Sequence, residues 1–163
     1  MDRLIAYRPA TPEERAAFFE WMREHVAETG DAMMEFLGLT WDGFADLFEA
    51  VGEVRVICCG RDDVGFLWIE ARDRDLHVHG IVLRPEFQGQ GIGTSVFARL
   101  EEEFAGDVDV LELGVRVSNE GAIRFYEGLG FERARTIDEI GFLVYRKALA
   151  EPERAPEVGF TGA

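Results

Sequence analysis

Cysteine is nearly absent from this chain: two residues in 163, side by side at Cys58 and Cys59. Neighbours on a strand point to opposite faces, so the pair offers neither a disulfide framework nor a metal site, and a reducing, cytoplasmic setting is expected. Long hydrophobic runs are missing as well. The apolar stretches are short and broken by charge, which argues against a membrane helix. The opening MDRLIAYRPATPEER has no apolar core of the signal-peptide kind. Basic residues are the minority, 17 Lys and Arg against 32 Asp and Glu, for a net charge of −15. That balance opposes broad contact with nucleic-acid phosphates or anionic lipid. It weakly favours a cationic substrate, although solubility is the ordinary meaning of such a surface.

The remaining composition, 47% hydrophobic and 30% charged, is that of a globular protein. The length suits one domain, expected over residues 1–149. The Pro/Gly/Glu-rich stretch 150–163 is expected to be a disordered tail. RLIAYRP reads as a short opening strand. TPEERAAFFEWMREHVAETG reads as a helix with Thr11 as N-cap, Pro12 at the first position and Glu14 in a capping-box relation to Thr11. Gly30 is its expected terminator, and His25 is read as surface. Residues 31–51 carry a weaker helical pattern interrupted at Gly38 and Gly43, which fits two short helices.

From Glu53 the period changes. EVRVICCG, VGFLWIEARD and DLHVHGIVL are strand-like runs separated by turn-like GRDD and RDRD, an antiparallel meander. A helix from about Gly91 to Phe104, a strand DVDVLELGV, a helix from about Glu120 to Leu129 and two closing strands follow. The order β-α-α-β-β-β-α-β-α-β-β is that of an α/β protein (α+β in its segregation of elements). It predicts a central, mixed, mostly antiparallel sheet of about seven strands, flanked by about four helices.

Three glycines, Gly89, Gly91 and Gly93, stand where the third of these helices begins. Each costs roughly 0.5–1 kcal/mol against alanine in a helical turn. Pro85 lacks an N–H and holds Arg84 extended. Beyond it, Gln88 to Thr94 can present backbone N–H groups at a helix N-terminus with no Cβ in the way, a natural phosphate site. A dinucleotide fingerprint would need glycine or alanine where Thr94 stands, and a strand that opens a parallel unit. A nucleotide P-loop would need Gly-Lys-Ser/Thr. Neither pattern is present.

QGQGIG, Gln88 to Gly93, after an apolar strand and RPEF, resembles the pyrophosphate loop of the GNAT superfamily of acyl-CoA-dependent N-acetyltransferases. NEGAIRFYEGLGF, Asn119 to Phe131, is similar to that family's next helix. The family loop usually opens with arginine, whereas this chain has Gln88, so coenzyme binding would rest more on backbone donors. The resemblance implies acetyl-CoA as cosubstrate and no metal. It implies main-chain contacts from Ile81, Val82 and Leu83 to the pantetheine arm and acetyl oxygen. The pyrophosphate would lie on Gln88, Gly89, Gln90, Gly91, Ile92, Gly93 and Thr94, and Asn119 and Ala122 would touch the coenzyme. It also implies that GIVL splays from the following strand.

The same resemblance makes Tyr126, seven residues after Asn119, the acid that protonates the departing thiolate. A phenol near 10 stays protonated at neutral pH and can donate. For the base, His77 stands where some members place a glutamate, and His79 is the alternative. On an unbroken strand both share a face with Ile81 and Leu83. Glu112 and Glu70 are weaker candidates, expected to be solvated or structural, and water is a further option. The acceptor pocket would draw on Trp21, Phe36, Trp41, Phe44 and Trp68. FERARTI is expected to be an exposed strand with alternating faces. The function implied is direct transfer of acetyl to a primary amine of a small molecule or peptide. The alternatives are a non-catalytic acyl-CoA-binding module and a transferase of longer acyl groups. Edge strands that pair into a homodimer fit the same family.

Overall fold

The computed structural model describes residues 4–25, 34–35 and 37–149. The expected helix terminator Gly30, the pocket candidate Phe36, the side chain of His25 and the tail 150–163 lie outside the described residues.

β1 (Ile5–Pro9) leads into α1 (Pro12–His25), and α2 (Trp41–Ala50) precedes a meander of β2 (Glu53–Cys59), β3 (Asp62–Arg72) and β4 (Asp75–Leu83). A 3₁₀ turn at Pro85–Phe87 joins β4 to α3 (Ile92–Phe104). β5 (Val110–Arg116), α4 (Glu120–Gly128), β6 (Glu132–Ile137) and β7 (Phe142–Ala148) complete the order. The seven strands form one sheet in the order β1-β2-β3-β4-β5-β7-β6. Every pairing is antiparallel except β4 with β5. That one parallel pair is the product of the β4-α3-β5 crossover.

Local chemistry accounts for the element ends. The Thr11 hydroxyl accepts from the Glu14 amide at 3.2 Å, and the Glu14 carboxylate accepts from the Thr11 amide at 3.0 Å, a closed capping box. Thr40 caps α2 by accepting from the Gly43 amide at 3.1 Å. Gly43 therefore belongs to the first turn of α2 and does not interrupt it. Asp73, at φ 54°, makes the tight β3–β4 turn, a conformation that a short polar side chain tolerates.

Two apolar layers sandwich the sheet. On one face, Ile92, Val96, Phe97 and Leu100 of α3 pack on Leu67, Ile69, Leu76, Val78, Leu111 and Leu113. On the other, Phe18 of α1 and Phe48 of α2 pack on Val54 and Trp68, and the Trp68 indole donates to the Val51 carbonyl at 2.9 Å. β6 departs from its expected alternation, being exposed from Glu132 to Thr136. Its register against β7 shifts between Arg133 and Arg135, which breaks the two-residue period on this edge strand.

β3 and β4 approach so closely at Gly65 that a Cβ there would stand 2.0 Å from the Val82 carbonyl oxygen and 3.0 Å from the Leu83 Cα. Both obstacles are backbone, so they cannot swing aside. Gly65→Ala should therefore destabilise the protein by about 3 kcal/mol, or roughly 10 °C in Tm, read by calorimetry. An unchanged Tm would mean that this strand pair slides freely.

Candidate active site

β4 has two kinds of neighbour along its length. Against β3 it is paired along its whole length save one residue, from Asp75–Arg72 to Leu83–Gly65. Against β5 it is paired only from Asp75–Val110 to Val78–Leu113. From His79 onward the β5-facing edge of β4 pairs with no strand among the described residues, while β5 runs on to Arg116 against β7. The two strands diverge there and leave a gap in the middle of the sheet.

The divergence coincides with an irregularity. Trp68 pairs with Gly80 and Ile69 with Val78, so His79 is an extra residue, a β-bulge. The bulge corrects one expectation. Ile81 and Leu83 pack on the α3 side of the sheet with Leu76 and Val78. His77 and His79 lie on the other face, as does Gly80, where a Cβ would come 3.4 Å from Phe18. The histidines therefore do not share a face with Ile81 and Leu83.

The gap opens into a cleft with two lobes. The first, about 340 Å³, is lined by Ile81, Asn119, Ala122 and Tyr126 at one end and by Trp21, Trp41, Phe44 and Trp68 at the other. Four of the five aromatic residues expected at a pocket are thus brought together. The second lobe, about 480 Å³, continues from the first across Trp68, His79, Gly114 and Phe142, and it also contains His77, Glu70 and Glu112.

Each histidine on this face has its own carboxylate. His79 Nε2 lies 2.7 Å from Glu70 Oε2, and the Arg72 guanidinium grips the same carboxylate at 3.0 and 2.9 Å. Arg72 holds the Glu70 carboxyl below its ordinary range, with His79 assisting against the opposing effect of burial. Glu70 is thus ionised and can only accept, so Nε2 carries the proton and the neutral ring keeps its lone pair on Nδ1. The ring packs on Trp68 at 4.7 Å between centroids. Burial pulls the His79 pKa below the ordinary histidine value, and Glu70 offsets only part of that.

His77 Nδ1 lies 3.2 Å from Glu112 Oε1, its direct cross-strand neighbour. Arg146 holds the other oxygen of Glu112 at 2.5 Å and reaches Asp75 at 3.1 Å. Glu70 and Glu112 are therefore not solvated, with side chains only 16% and 12% exposed. Glu112 is held from β4 and β7, and Glu70 by His79 of β4 as well as by Arg72 on its own strand, so the cross-strand part of each environment escapes local patterning.

Tyr126 sits on α4 with its ring among Phe97, Phe125 and Phe131. Its hydroxyl has no hydrogen-bond partner among the described residues, and burial pushes its pKa up to about 12. Asn119 starts α4 by accepting from the Ala122 amide at 3.2 Å.

At the far end of β4, the three glycines have separate reasons. Gly89 and Gly91 adopt φ of 71° and 80° with open space where a Cβ would be, so conformation requires them. Gly93 lies within α3, and a Cβ there would come 3.1 Å from Phe125 Cζ. It lets α4 pack against α3. No side chain caps α3, and its first helical bond runs from the Ser95 amide to the Gly91 carbonyl. The amides of Ile92, Gly93 and Thr94 are accordingly left without intrahelical acceptors. Gln88 turns back to donate to the Leu83 carbonyl at 2.9 Å, and Gln90 to the Glu86 carbonyl at 2.7 Å. Both amide side chains brace the loop that carries those N–H groups. Among the described residues, no cluster of three or more His, Cys, Asp or Glu has the form of a metal site. No described helix is long and apolar enough to cross a membrane.

Comparison with known proteins gives this arrangement a lineage. An uncharacterized N-acetyltransferase of Methanocaldococcus jannaschii is 39% identical over 61 residues, which is 37% of this chain and 27% of that protein. A mycothiol acetyltransferase of Kineococcus radiotolerans is 38% identical over 73 residues, 44% of this chain and 23% of that protein. The matches thus span about a quarter of the length of these curated relatives. In three dimensions the chain is similar to the spermidine N-acetyltransferase of Vibrio cholerae, solved in complex with CoA and spermine. The TM-score is 0.63 at 16% identity, over 89% of this chain and 95% of that one. The model of the acetyltransferase (GNAT) family matches residues 6–131, from β1 through the glycine loop, the strand gap and α4. The chain belongs to the GNAT acetyltransferase family.

Proposed function

We propose that the chain is an acyltransferase that moves an acetyl group from acetyl-CoA to a primary amine of a small molecule or peptide, by direct transfer in a ternary complex. The observation that carries this reading is the alignment of three features along one gap. They are the unpartnered amides at the start of α3, the unpaired edge of β4, and a cleft that holds a neutral histidine and a buried phenol.

The donor fits the residues present. The amides of Gly89 to Thr94 receive the pyrophosphate at the positive end of α3, where nothing stands in the space above Gly89 and Gly91. Gln88 helps by fixing the loop rather than by supplying charge. Main-chain groups of Ile81, Val82 and Leu83 on the unpaired edge hold the pantetheine arm, and an edge N–H polarises the acetyl carbonyl. Asn119 and Ala122 border the same arm. When bound, acetyl-CoA supplies a thioester carbonyl carbon that an amine nitrogen attacks, so that the N–C bond forms as the C–S bond breaks.

Of the two histidines we assign the base to His79, because it borders both lobes whereas His77 borders only the second. His79 takes the amine proton at Nδ1, and Glu70 steadies the resulting imidazolium through Nε2. Tyr126 gives its hydroxyl proton to the sulfur. No covalent enzyme intermediate is needed.

Acetyl-CoA at about 100 times its Kd should raise stability by roughly 2.7 kcal/mol, which for a chain of this size is about 5–10 °C in Tm. NADH and ATP should give no comparable shift. Equal shifts from all three would reduce the loop to a generic phosphate site. Tyr126→Phe should keep the acetyl-CoA shift and lose about 10²-fold in kcat. Unchanged kcat would favour a water-mediated proton, and no turnover in either protein would favour an acyl-CoA-binding module. Because the His79 pKa is lowered, its basic neutral form persists into mildly acidic solution. Activity should rise with pH through an apparent pKa below 6.5 and then plateau, measured with an acceptor amine too weakly basic to titrate in that range. His79→Gln should remove that limb, and a limb that survives the substitution would assign the base elsewhere.

A further inference from the structure

The second lobe of the cleft has no part in holding the donor, and its lining is unlike what the acidity of the chain would suggest. With a net charge of −15, a cation-attracting acceptor site would be the simple expectation. Yet the two carboxylates in the lobe are already neutralised in place. Glu70 carries the Arg72 guanidinium on both oxygens, and Glu112 carries Arg146. An incoming ammonium would have to displace a guanidinium to use either of them.

The walls are apolar. Leu37, Phe44 and Leu47 line one side, and Ile137, Ile140 and Phe142 the other. Leu37 and Leu47 remain 51% and 40% exposed, although large hydrophobic side chains at a cleft mouth gain from being covered. Of the polar groups in this lobe, His79 stands where it meets the first, while His77, Arg72 and the two paired carboxylates line the second lobe alone.

Resting on the acetyltransferase reading above, we propose that this lobe is the acceptor site and that it takes a primary amine on a short alkyl spacer from a flat apolar body, an arylalkylamine. The ring lies between the α2 wall and the β6–β7 wall, in a volume of about 480 Å³. The spacer passes Trp68. The neutral amine, its nitrogen beside His79 Nδ1, attacks the thioester carbon; as the N–C bond forms and the C–S bond breaks, the nitrogen gives up one proton to Nδ1. The nitrogen gains the acetyl group, and the proton from Tyr126 leaves with the thiol. A polyamine would place its second charge between apolar walls and carboxylates that already hold guanidinium partners, with its desolvation uncompensated.

The test is thiol release by the full chain with acetyl-CoA and four acceptors: 2-phenylethylamine, ethylamine, spermidine and a short peptide with an N-terminal alanine. The expected kcat/KM for 2-phenylethylamine exceeds that of ethylamine and of spermidine by roughly 10²-fold, since a buried ring is worth more than the tenfold or so of a single methylene. Leu47→Asn, at a position exposed enough for the fold to accept it, should raise KM for 2-phenylethylamine roughly tenfold while the acetyl-CoA-induced Tm shift persists. Preference for spermidine or for the peptide, or a phenylethylamine-to-ethylamine ratio near one, overturns the acceptor assignment alone. Failure of all four acceptors to release thiol overturns the acetyltransferase reading beneath it.

Discussion

The divergence of β4 from β5 is the constraint on which the rest of the site depends. A continuous parallel pairing would satisfy the edge of β4 with backbone hydrogen bonds and leave nowhere for a ligand to enter the sheet. The pairing ends at Val78–Leu113, and one residue later the bulge at His79 turns the remainder of β4 by one position relative to β3. The turn has two effects. It sends Ile81 and Leu83 into the α3-side core, which fixes the far half of β4 firmly. It also leaves His77, His79 and Gly80 together on the opposite face, under α1 and α2. The result is a strand with a free edge on one side and a titratable face on the other, its far half anchored in the α3-side core by that single inserted residue.

Much of this was legible in the sequence, and the reasons differ by element. The order of strands and helices, the Thr11–Glu14 box and the Asn119 cap were all readable because they are set by residues within three or four positions of each other. The glycine loop was readable for a related reason: two of its glycines answer to their own φ angles. The third does not. Gly93 is required by Phe125, some thirty residues away, and only the packed helices reveal it. The bulge was invisible because LHVHGIVL alternates plausibly in either register, and a period of two carries no mark of where it slips. Glu70 and Glu112 read as solvated or structural, and the choice between the two was hidden for a similar reason. Glu112 is held from β4 and β7 and Glu70 partly from β4, beside Arg72 on its own strand, and pattern along one strand says nothing about the next.

The charge of the chain illustrates how composition can mislead about a site. A net charge of −15 describes the whole surface, whereas a ligand meets only the groups that line its path. Along the cleft those groups are carboxylates with guanidinium partners, arranged across β3, β4, β5 and β7. The pairing also shapes the chemistry. An ionised Glu70 fixes the His79 tautomer, and Arg72 keeps it ionised by competing for the same oxygens. Arg72 thereby also limits how strongly Glu70 can draw a proton onto His79.

Burial acts on His79 and Tyr126 with the same physical sense and opposite numerical result. It disfavours the charged form of each, so the imidazole pKa falls and the phenol pKa rises to about 12. Both groups therefore rest neutral at pH 7, one able to accept a proton and the other able to donate. That is the protonation state that attack by an amine and departure of a thiolate require. The arrangement has a cost on the acid side. A thiol titrates near 8.5, so a proton moving from a phenol near 12 to a free thiolate runs uphill. Tyr126 is then best suited to donate a hydrogen bond while charge builds on sulfur. In the proposed reaction its proton would cross late, once a protonated His79 supplies a positive charge in the same cleft that makes a transient phenolate less unfavourable. The two residues are on different elements and share no hydrogen bond, yet under the proposed reaction the readiness of one to give would depend on the other having received.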